Sequence, residues 1–251
     1  MPCDDMTVEV VEVLRRSDQG MTKPYICRCD DNETYFVKGR GAGRQSLIRE
    51  WIAGNLGAAF GLPLAPFEIV NVPDELMELS SPLLDLYDLG TGLAFGSQLV
   101  EGVMEITTSV IDVIPIELQR DVLIFDWWIR NGDRMMSEKG GNPNLFWEPS
   151  SEQLVVIDHN QAFGEDFDKG IFLNLHIFAD CQHGLFGDFV MRRDYTQRFA
   201  EALRRWPDII ANMPEEWIYL DPEMTIPANV NLDDYRAVLD LSQHEDFWKT
   251  S

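Results

Sequence analysis

The chain has 251 residues, 45 % of them hydrophobic and 11 % aromatic, enough for one large folded domain or two lobes around a cleft. Its formal charge of −23 excludes an ordinary binder of the nucleic-acid backbone, which is built on Lys and Arg. No stretch approaches the roughly 18 consecutive apolar residues of a membrane span, and the acidic start MPCDDMTVEVVEVL lacks the regions of a signal peptide, so a cytoplasmic location is expected.

In chain order, residues 8–14 read as a strand, followed by a turn at Ser17-Asp18-Gln19-Gly20. Residues 25–29 and 34–38 flank the turn-rich Asp30-Asp31-Asn32 and predict a β-hairpin. Cys27 and Cys29 share a face of the first of these strands. With only four cysteines in the chain (Cys3, Cys27, Cys29, Cys181) and no second Cys or His pair at zinc spacing, they are expected to be plain strand thiols in a reducing compartment. Lys38 ends the second strand on the face of Phe36, with Tyr35 and Val37 on the other. In residues 44–60, Ile48, Ile52, Leu56 and Phe60 recur every four positions, with Gly61 as C-cap and Pro63 beyond, which predicts a helix. Residues 67–72 and 93–100 read as further strands, and the acidic, turn-rich span 73–92 between them as a loop or insertion.

From Pro115 onward the pattern turns helical. Leu118, Val122, Phe125 and Ile129 form the apolar face of a helix that runs to Asn131-Gly132. A short apolar strand at 154–157 follows, then helices at 174–181, at 194–206 ended by Pro207, and at 231–241 capped by Asn231 with Asp233 and Asp234 in its first turn. The fold class is α+β: a strand-rich N-lobe over residues 1–101 and a helical C-lobe over 102–251, with the boundary near Glu101-Gly102.

The residues that point to chemistry lie in one window, 133–158. Asp133 follows Asn131-Gly132 at the helix exit, Asn144 sits in Gly140-Gly141-Asn142-Pro143-Asn144, and Asp158 ends an apolar strand. Asp133 and Asn144 have an ordinary reading as turn residues. Asp158 does not, because an unpartnered carboxylate at the end of a buried strand is costly. Together they match what phosphoryl transfer requires: a carboxylate to orient the attacking hydroxyl, and an amide and a carboxylate to hold magnesium on the phosphates. Lys38 alone reads as a strand-end lysine, but Glu50, 12 positions later on the next helix, is placed to hold it as a phosphate-binding cation.

Other patterns are weaker. The run Gly39-Arg40-Gly41-Ala42-Gly43 lacks the Gly-Lys-Ser/Thr ending of a P-loop and reads as a strand-to-helix connection. A phosphate-covering loop would fall at Ser17 to Thr22, where Gly20 is the only glycine. His159 stands beside Asp158, but the chain has no Gly-x-Ser-x-Gly elbow for a hydrolase, so His159 reads as a hydrogen-bonded neighbour of the metal site. His176, His183 and His244 have no metal spacing and read as structural.

Asn-Gly-Asp-Arg, then Gly-Asn-Pro-Asn-Leu, then Val-Ile-Asp-His-Asn-Gln-Ala-Phe resemble the catalytic segment of HipA-like kinases and, more distantly, of type II phosphatidylinositol 4-kinases. Tyr-Phe-Val-Lys, the Glu50 helix and Gly-Leu-Pro-Leu-Ala-Pro are similar to the N-lobe of the short HipA-like family. The resemblance implies a protein-kinase-like two-lobed fold. It implies that Lys38, oriented by Glu50, binds ATP phosphates, that Asp133 is the catalytic base, and that Asn144 and Asp158 hold Mg2+. It also implies that backbone near Leu99, Val100 and Glu101 meets adenine. In the family's namesake it implies Ser/Thr protein phosphorylation and a toxin role. The sequence is shorter than that protein and leaves no room for its N-terminal subdomain, so toxin activity does not carry over. Asp133 and Asn144 are 11 apart rather than the roughly five of protein kinases, so residues 135–140 must bulge, with Asn142 as the competing ligand.

The expected activity is ATP- and Mg2+-dependent transfer of the γ-phosphoryl group to a hydroxyl, with a protein Ser or Thr as acceptor and no direct nucleic-acid partner. The alternatives are a pseudokinase or acidic protein-binding module that mimics DNA, and a lipid or small-molecule kinase.

Overall fold

The computed structural model describes residues 7–18, 22–79, 85–137 and 140–250. Its strand-rich part is a closed barrel. The strands are β1 (Thr7–Arg16), β2 (Tyr25–Cys29), β3 (Thr34–Lys38), β4 (Phe67–Val72) and β5 (Gly92–Gln98), in the order β1-β2-β3-β5-β4. All neighbours are antiparallel except β4 with β1, whose parallel pairing closes the ring and leaves no open edge. Alternation sends Tyr25, Cys27 and Cys29 of β2, Tyr35 and Val37 of β3, and Val70 and Val72 of β4 into one core. Val10 and Val13 of β1 join them although they are three apart. A register shift between Val10 and Glu12 turns the second valine back to the inner face.

Cys27 and Cys29 are free and buried, and burial pushes both thiols up to about 12, as expected for protonated thiols in an apolar core. The glycine run between β3 and the first helix forms a 3-10 turn at Arg40–Ala42. Arg40 N and Gly41 N donate to Leu89 O and Asp88 O, and a side chain at Gly39 would collide with the Leu89 backbone. These glycines therefore serve close backbone approach.

Helix α1 (Arg44–Phe60) matches the four-residue apolar repeat and ends where expected. Gly61 takes φ +96°, and Gly61 N and Leu62 N both donate to Gly57 O. The span read as a loop or insertion contains a short helix, α2 (Asp74–Leu79), whose first turn carries Asp74 and Glu75 beside its amide dipoles. Leu86 and Leu89, further along this span, fill the barrel core.

The later elements are β6 (Met104–Glu105), α3 (Thr108–Ile111), α4 (Ile116–Trp128), β7 (Met135–Ser137), β8 (Gly140–Asn142), β9 (Leu145–Glu148) and β10 (Gln153–Val156). They are followed by α5 (Lys169–Leu175), α6 (Gln182–Leu185), α7 (Phe189–Leu203), α8 (Trp206–Ala211) and α9 (Leu232–Asp240). Pro115 precedes α4 as expected, but α4 stops at Trp128 rather than at Asn131, and Arg130 turns left-handed at φ +52°. The helix expected at 174–181 is α5 plus a separate 3-10 turn at Ala179–Cys181. Helix α7 begins five residues before its apolar pattern suggested, because Asp188 caps it by accepting from Val190 N and Met191 N. Pro207 lies in the first turn of α8, where a missing N–H costs nothing, rather than simply ending α7.

The chain divides into two compact units. The first takes the described residues of Met1–Trp51, Ala65–Glu101 and Met213–Val230, and the second takes Ile52–Leu64, Gly102–Asn212 and Asn231–Ser251. Within the first, the late segment is stitched to the barrel. Trp217 is fully buried with Nε1 donating to Leu93 O, Glu216 accepts from Leu93 N, and Arg44 Nε donates to Tyr219 O. Within the second, aromatic rings form the core: Trp128 stacks on Phe199 at 4.3 Å, and Trp127 packs against Phe186 at 4.9 Å.

Candidate active site

The 11-residue separation between Asp133 and Asn144 is taken up by a hairpin. β7 and β8 pair Met135 with Asn142 and Met136 with Gly141, so the chain leaves Asp133 and returns beside it. Asn144 Nδ2 donates to Asp133 Oδ2 at 3.0 Å, and the more exposed Asn142 Nδ2 donates to the same oxygen at 3.2 Å. Ile157 N then donates to Asn144 O, which sets Asp158 beside Asn144. Residues 138–139 of the expected bulge lie outside the described residues.

Burial first, and then the charge of Asp158, raise the Asp133 carboxyl above its ordinary value. The amides of Asn144 and Asn142 and the charge of Arg134 oppose the shift without cancelling it. Asn144 and Asp158 both hold left-handed backbone, at φ +50° and φ +56°. Asn and Asp tolerate this region better than other side chains, and non-glycine residues held there concentrate at functional sites.

A buried polar centre underlies this cluster. Asp126 sits on α4 within a fully buried run from Val122 to Ile129. Its carboxylate accepts from Asn131 Nδ2 at 2.9 Å, from Arg134 Nε at 2.7 Å, and from His176 Nε2 at 3.0 Å. Phe178 N donates to His176 Nδ1, so the proton of the neutral ring is on Nε2 and points at Asp126. Burial alone would raise the Asp126 carboxyl, but Arg134 and His176 outweigh it and hold it well below the usual carboxylate range. Desolvation in turn lowers His176, more than Asp126 raises it.

In the first unit, Lys38 Nζ and Glu50 Oε1 form a buried ion pair at 2.5 Å. Lys38 shares with Phe36 the face of β3 turned away from Tyr35 and Val37, which point into the barrel core. Leu99, Val100 and Glu101 follow the end of β5. Leu99 N donates to Thr34 O, and Glu101 is exposed in a turn completed by Gly102 at φ +76°. The turn read at Ser17 to Gly20 and the phosphate-covering loop read over Ser17 to Thr22 fall partly on residues 19–21, outside the described residues.

Residues 10–251 match the family described as HipA-like kinase. The chain belongs to that family. It is a kinase, a phosphotransferase. No curated protein sequence matches it. Among solved structures it is similar to a Helicobacter pylori proinflammatory kinase, CtkA, at 11 % identity and a TM-score of 0.47, over 97 % of this chain and 95 % of that one. It is also similar to a Golgi casein kinase at 14 % identity and a TM-score of 0.42, over 98 % of this chain and 72 % of that one.

Among the described residues of this HipA-like kinase, no group of three or more His, Cys, Asp or Glu is placed to hold a metal ion. Magnesium does not require one. It binds proteins through one or two hard oxygen ligands and completes its shell with phosphate oxygens and water. Asp158 offers a carboxylate, and Asn144, whose amide nitrogen is committed to Asp133, offers its carbonyl oxygen. That donor set fits Mg2+ and does not suit a softer metal.

The sequence assigns no role of this kind to Asp126, Asn131 or Arg134, and reads His176 only as structural, which its buried bond to Asp126 fits. One signal was available. A single carboxylate in the run Val122-Leu123-Ile124-Phe125-Asp126-Trp127-Trp128 must have a buried partner, because an unpaired charge there would be prohibitive. His159 is buried, with its ring edge-on to Phe125 at 6.0 Å, and remains a neighbour of Asp158 by sequence.

Proposed function

We propose that this kinase uses ATP and Mg2+ and transfers the γ-phosphoryl group to a Ser or Thr hydroxyl of a protein. The reading rests above all on the raised carboxyl of Asp133, half-buried beside Asp158 and bonded to the Asn144 amide. Asp133 Oδ2 receives both amides, leaving Oδ1 to take the hydroxyl proton. As that proton moves to Asp133, the bond from the acceptor oxygen to the γ-phosphorus forms, the bond to the bridging oxygen breaks, and ADP departs with the displaced electron pair.

Asn144 and Asp158 would hold magnesium, which supplies charge neutralisation on the phosphates when bound. Lys38, kept in place by Glu50, would meet phosphate oxygens as a point charge. The backbone at Leu99, Val100 and Glu101 would meet adenine. The division into an N-lobe over 1–101 and a C-lobe over 102–251 belongs to the same reading, with Ile52–Leu64 grouped in the second unit and Met213–Val230 in the first. The family resemblance supports a protein acceptor, and the −23 charge argues against nucleic acid. The buried free thiols Cys27, Cys29 and Cys181 fit a reducing, cytoplasmic compartment, and no described helix is long and apolar enough to cross a membrane.

The test is transfer from γ-labelled ATP in the presence of a Ser/Thr-rich protein mixture, with and without Mg2+. Acid-stable label on protein that requires Mg2+ and disappears in Asp133→Asn supports the reading. Label found only in lipid or small molecules replaces the acceptor. Failure of the wild type to bind ATP with Mg2+ in calorimetry sinks the nucleotide assignment.

A further inference from the structure

Arg134 is fully buried, and each of its guanidinium nitrogens is engaged. Nε and Nη2 face the two oxygens of Asp126, at 2.7 and 3.4 Å. Nη1 donates to three main-chain carbonyls: Pro143 O at 3.1 Å, Asn144 O at 2.9 Å and Ile157 O at 3.1 Å. Those carbonyls lie on two different segments of chain, one carrying Asn144 and the other leading into Asp158. Arg134 itself directly follows Asp133, and its own carbonyl accepts from Ile177 N. One planar cation thus touches the chain at the side of all three candidate active-site residues.

Stability alone does not call for this arrangement. Burying a guanidinium and a carboxylate is on balance neutral or unfavourable compared with apolar side chains of the same volume. The same unit already buries large apolar side chains, among them Phe125, Trp128 and Phe178. What an apolar residue could not supply is a fixed spacing between two backbone segments, each held at a left-handed residue beside the carbonyl that Arg134 grips. A bidentate pairing on one side and three carbonyls on the other make the guanidinium a rigid spacer, which a flexible ammonium with one nitrogen cannot imitate.

We propose that Arg134 is a positioning residue: anchored by Asp126, and through Asp126 by His176 and Asn131, it sets the distance of Asn144 and Asp158 from Asp133. The proposal rests on the phosphotransfer reading of those three residues. Its prediction is that loosening Arg134 frees residues 140–160 before it unfolds the second unit, and weakens metal-dependent nucleotide binding more than general stability.

The experiment compares wild type, Arg134→Lys and Leu203→Ala, a buried core variant on α7. Amide hydrogen exchange on the metal-free protein and calorimetry with MgADP are measured on each. Arg134→Lys should accelerate exchange in peptides covering 140–160 by roughly tenfold while the α7 peptides stay protected. It should also weaken MgADP binding by a similar factor, and Leu203→Ala should do neither. Should Arg134→Lys fail to fold, the pair His176→Ala and His176→Gln takes its place. Loss of protection in 140–160 with the first and recovery with the second, which restores a donor toward Asp126, supports the proposal. Unchanged protection of 140–160 in a folded variant overturns it, as does equal loss of protection in α7. If the wild type binds no MgADP, the phosphotransfer reading falls and the positioning role falls with it, even if Arg134→Lys loosens residues 140–160.

Discussion

Asn144 Nδ2 lies 3.0 Å from Asp133 Oδ2 across a β-hairpin, which converts a long sequence separation into a direct hydrogen bond. The hairpin returns Asn142 to the same oxygen at 3.2 Å, but only Asn144 is tied by its main chain to Ile157 and Arg134. Asn144→Ala is therefore expected to weaken MgATP binding by about tenfold or more, a step of about 1.4 kcal/mol, and Asn142→Ala by much less. Titration calorimetry on the two variants decides between them, and a larger effect at Asn142 would reassign the metal ligand.

Asp133→Asn separates chemistry from stability. The folded-state value of Asp133 lies above its unfolded value of about 3.9, so the ionised form is penalised in the folded protein. That penalty is absent below the unfolded value and grows as pH rises through the folded one. Removing the charge should thus leave the melting temperature unchanged or higher at neutral pH, with no gain at pH values below about 3.9. Phosphoryl transfer should fall by roughly 10²–10⁴-fold. Melting curves at several pH values and a single-turnover assay check both halves.

Asp126 carries the opposite sign. Its folded-state carboxyl is held below the ordinary range, so its contribution to stability is complete above the unfolded value of about 3.9 and is lost as pH falls toward the folded one. Asp126→Asn leaves Arg134 buried without a charge partner and should cost about 3–5 kcal/mol. Urea denaturation at pH 7 measures the cost. The gap between wild type and variant should narrow as the pH is lowered below about 3.9.

The Lys38–Glu50 pair is buried on both sides, so a single change strands a charge. Lys38→Met should destabilise the protein by about 3–5 kcal/mol, and the double variant Lys38→Met with Glu50→Leu should recover most of that loss. Nucleotide turnover should not recover with it. Recovery of both stability and turnover would reduce the pair to a packing device.

Asp158→Asn tests the metal carboxylate cleanly, because asparagine tolerates the φ of +56° that this position demands. The far-ultraviolet circular dichroism should be unchanged. Binding of MgATP should drop by about tenfold or more while binding of ATP without magnesium changes little. An equal loss in both titrations would place Asp158 outside the metal site.

Much of the fold was legible because local rules and tertiary packing agree. The four-residue repeat of Ile48, Ile52, Leu56 and Phe60 with Gly61 after it specifies α1 to the residue, and the alternation around Lys38 specifies which side chains of β3 enter the barrel. The candidate residues Lys38, Glu50, Asp133, Asn144 and Asp158 could be named because phosphoryl transfer restricts both residue type and order along the chain. Tertiary structure decided what depends on distance between segments far apart in sequence. The pairing of Met135 with Asn142 carries the chain back to Asp133, β4 closes the barrel against β1, and Met213–Val230 joins the barrel unit. Above all it placed Arg134, Asp126 and His176 around one another. Periodicity records which face of an element is apolar, but buried hydrogen bonds between residues 50 positions apart, such as His176 to Asp126, leave no periodic trace; they exist only once the chain has removed those groups from water and forced them to satisfy each other.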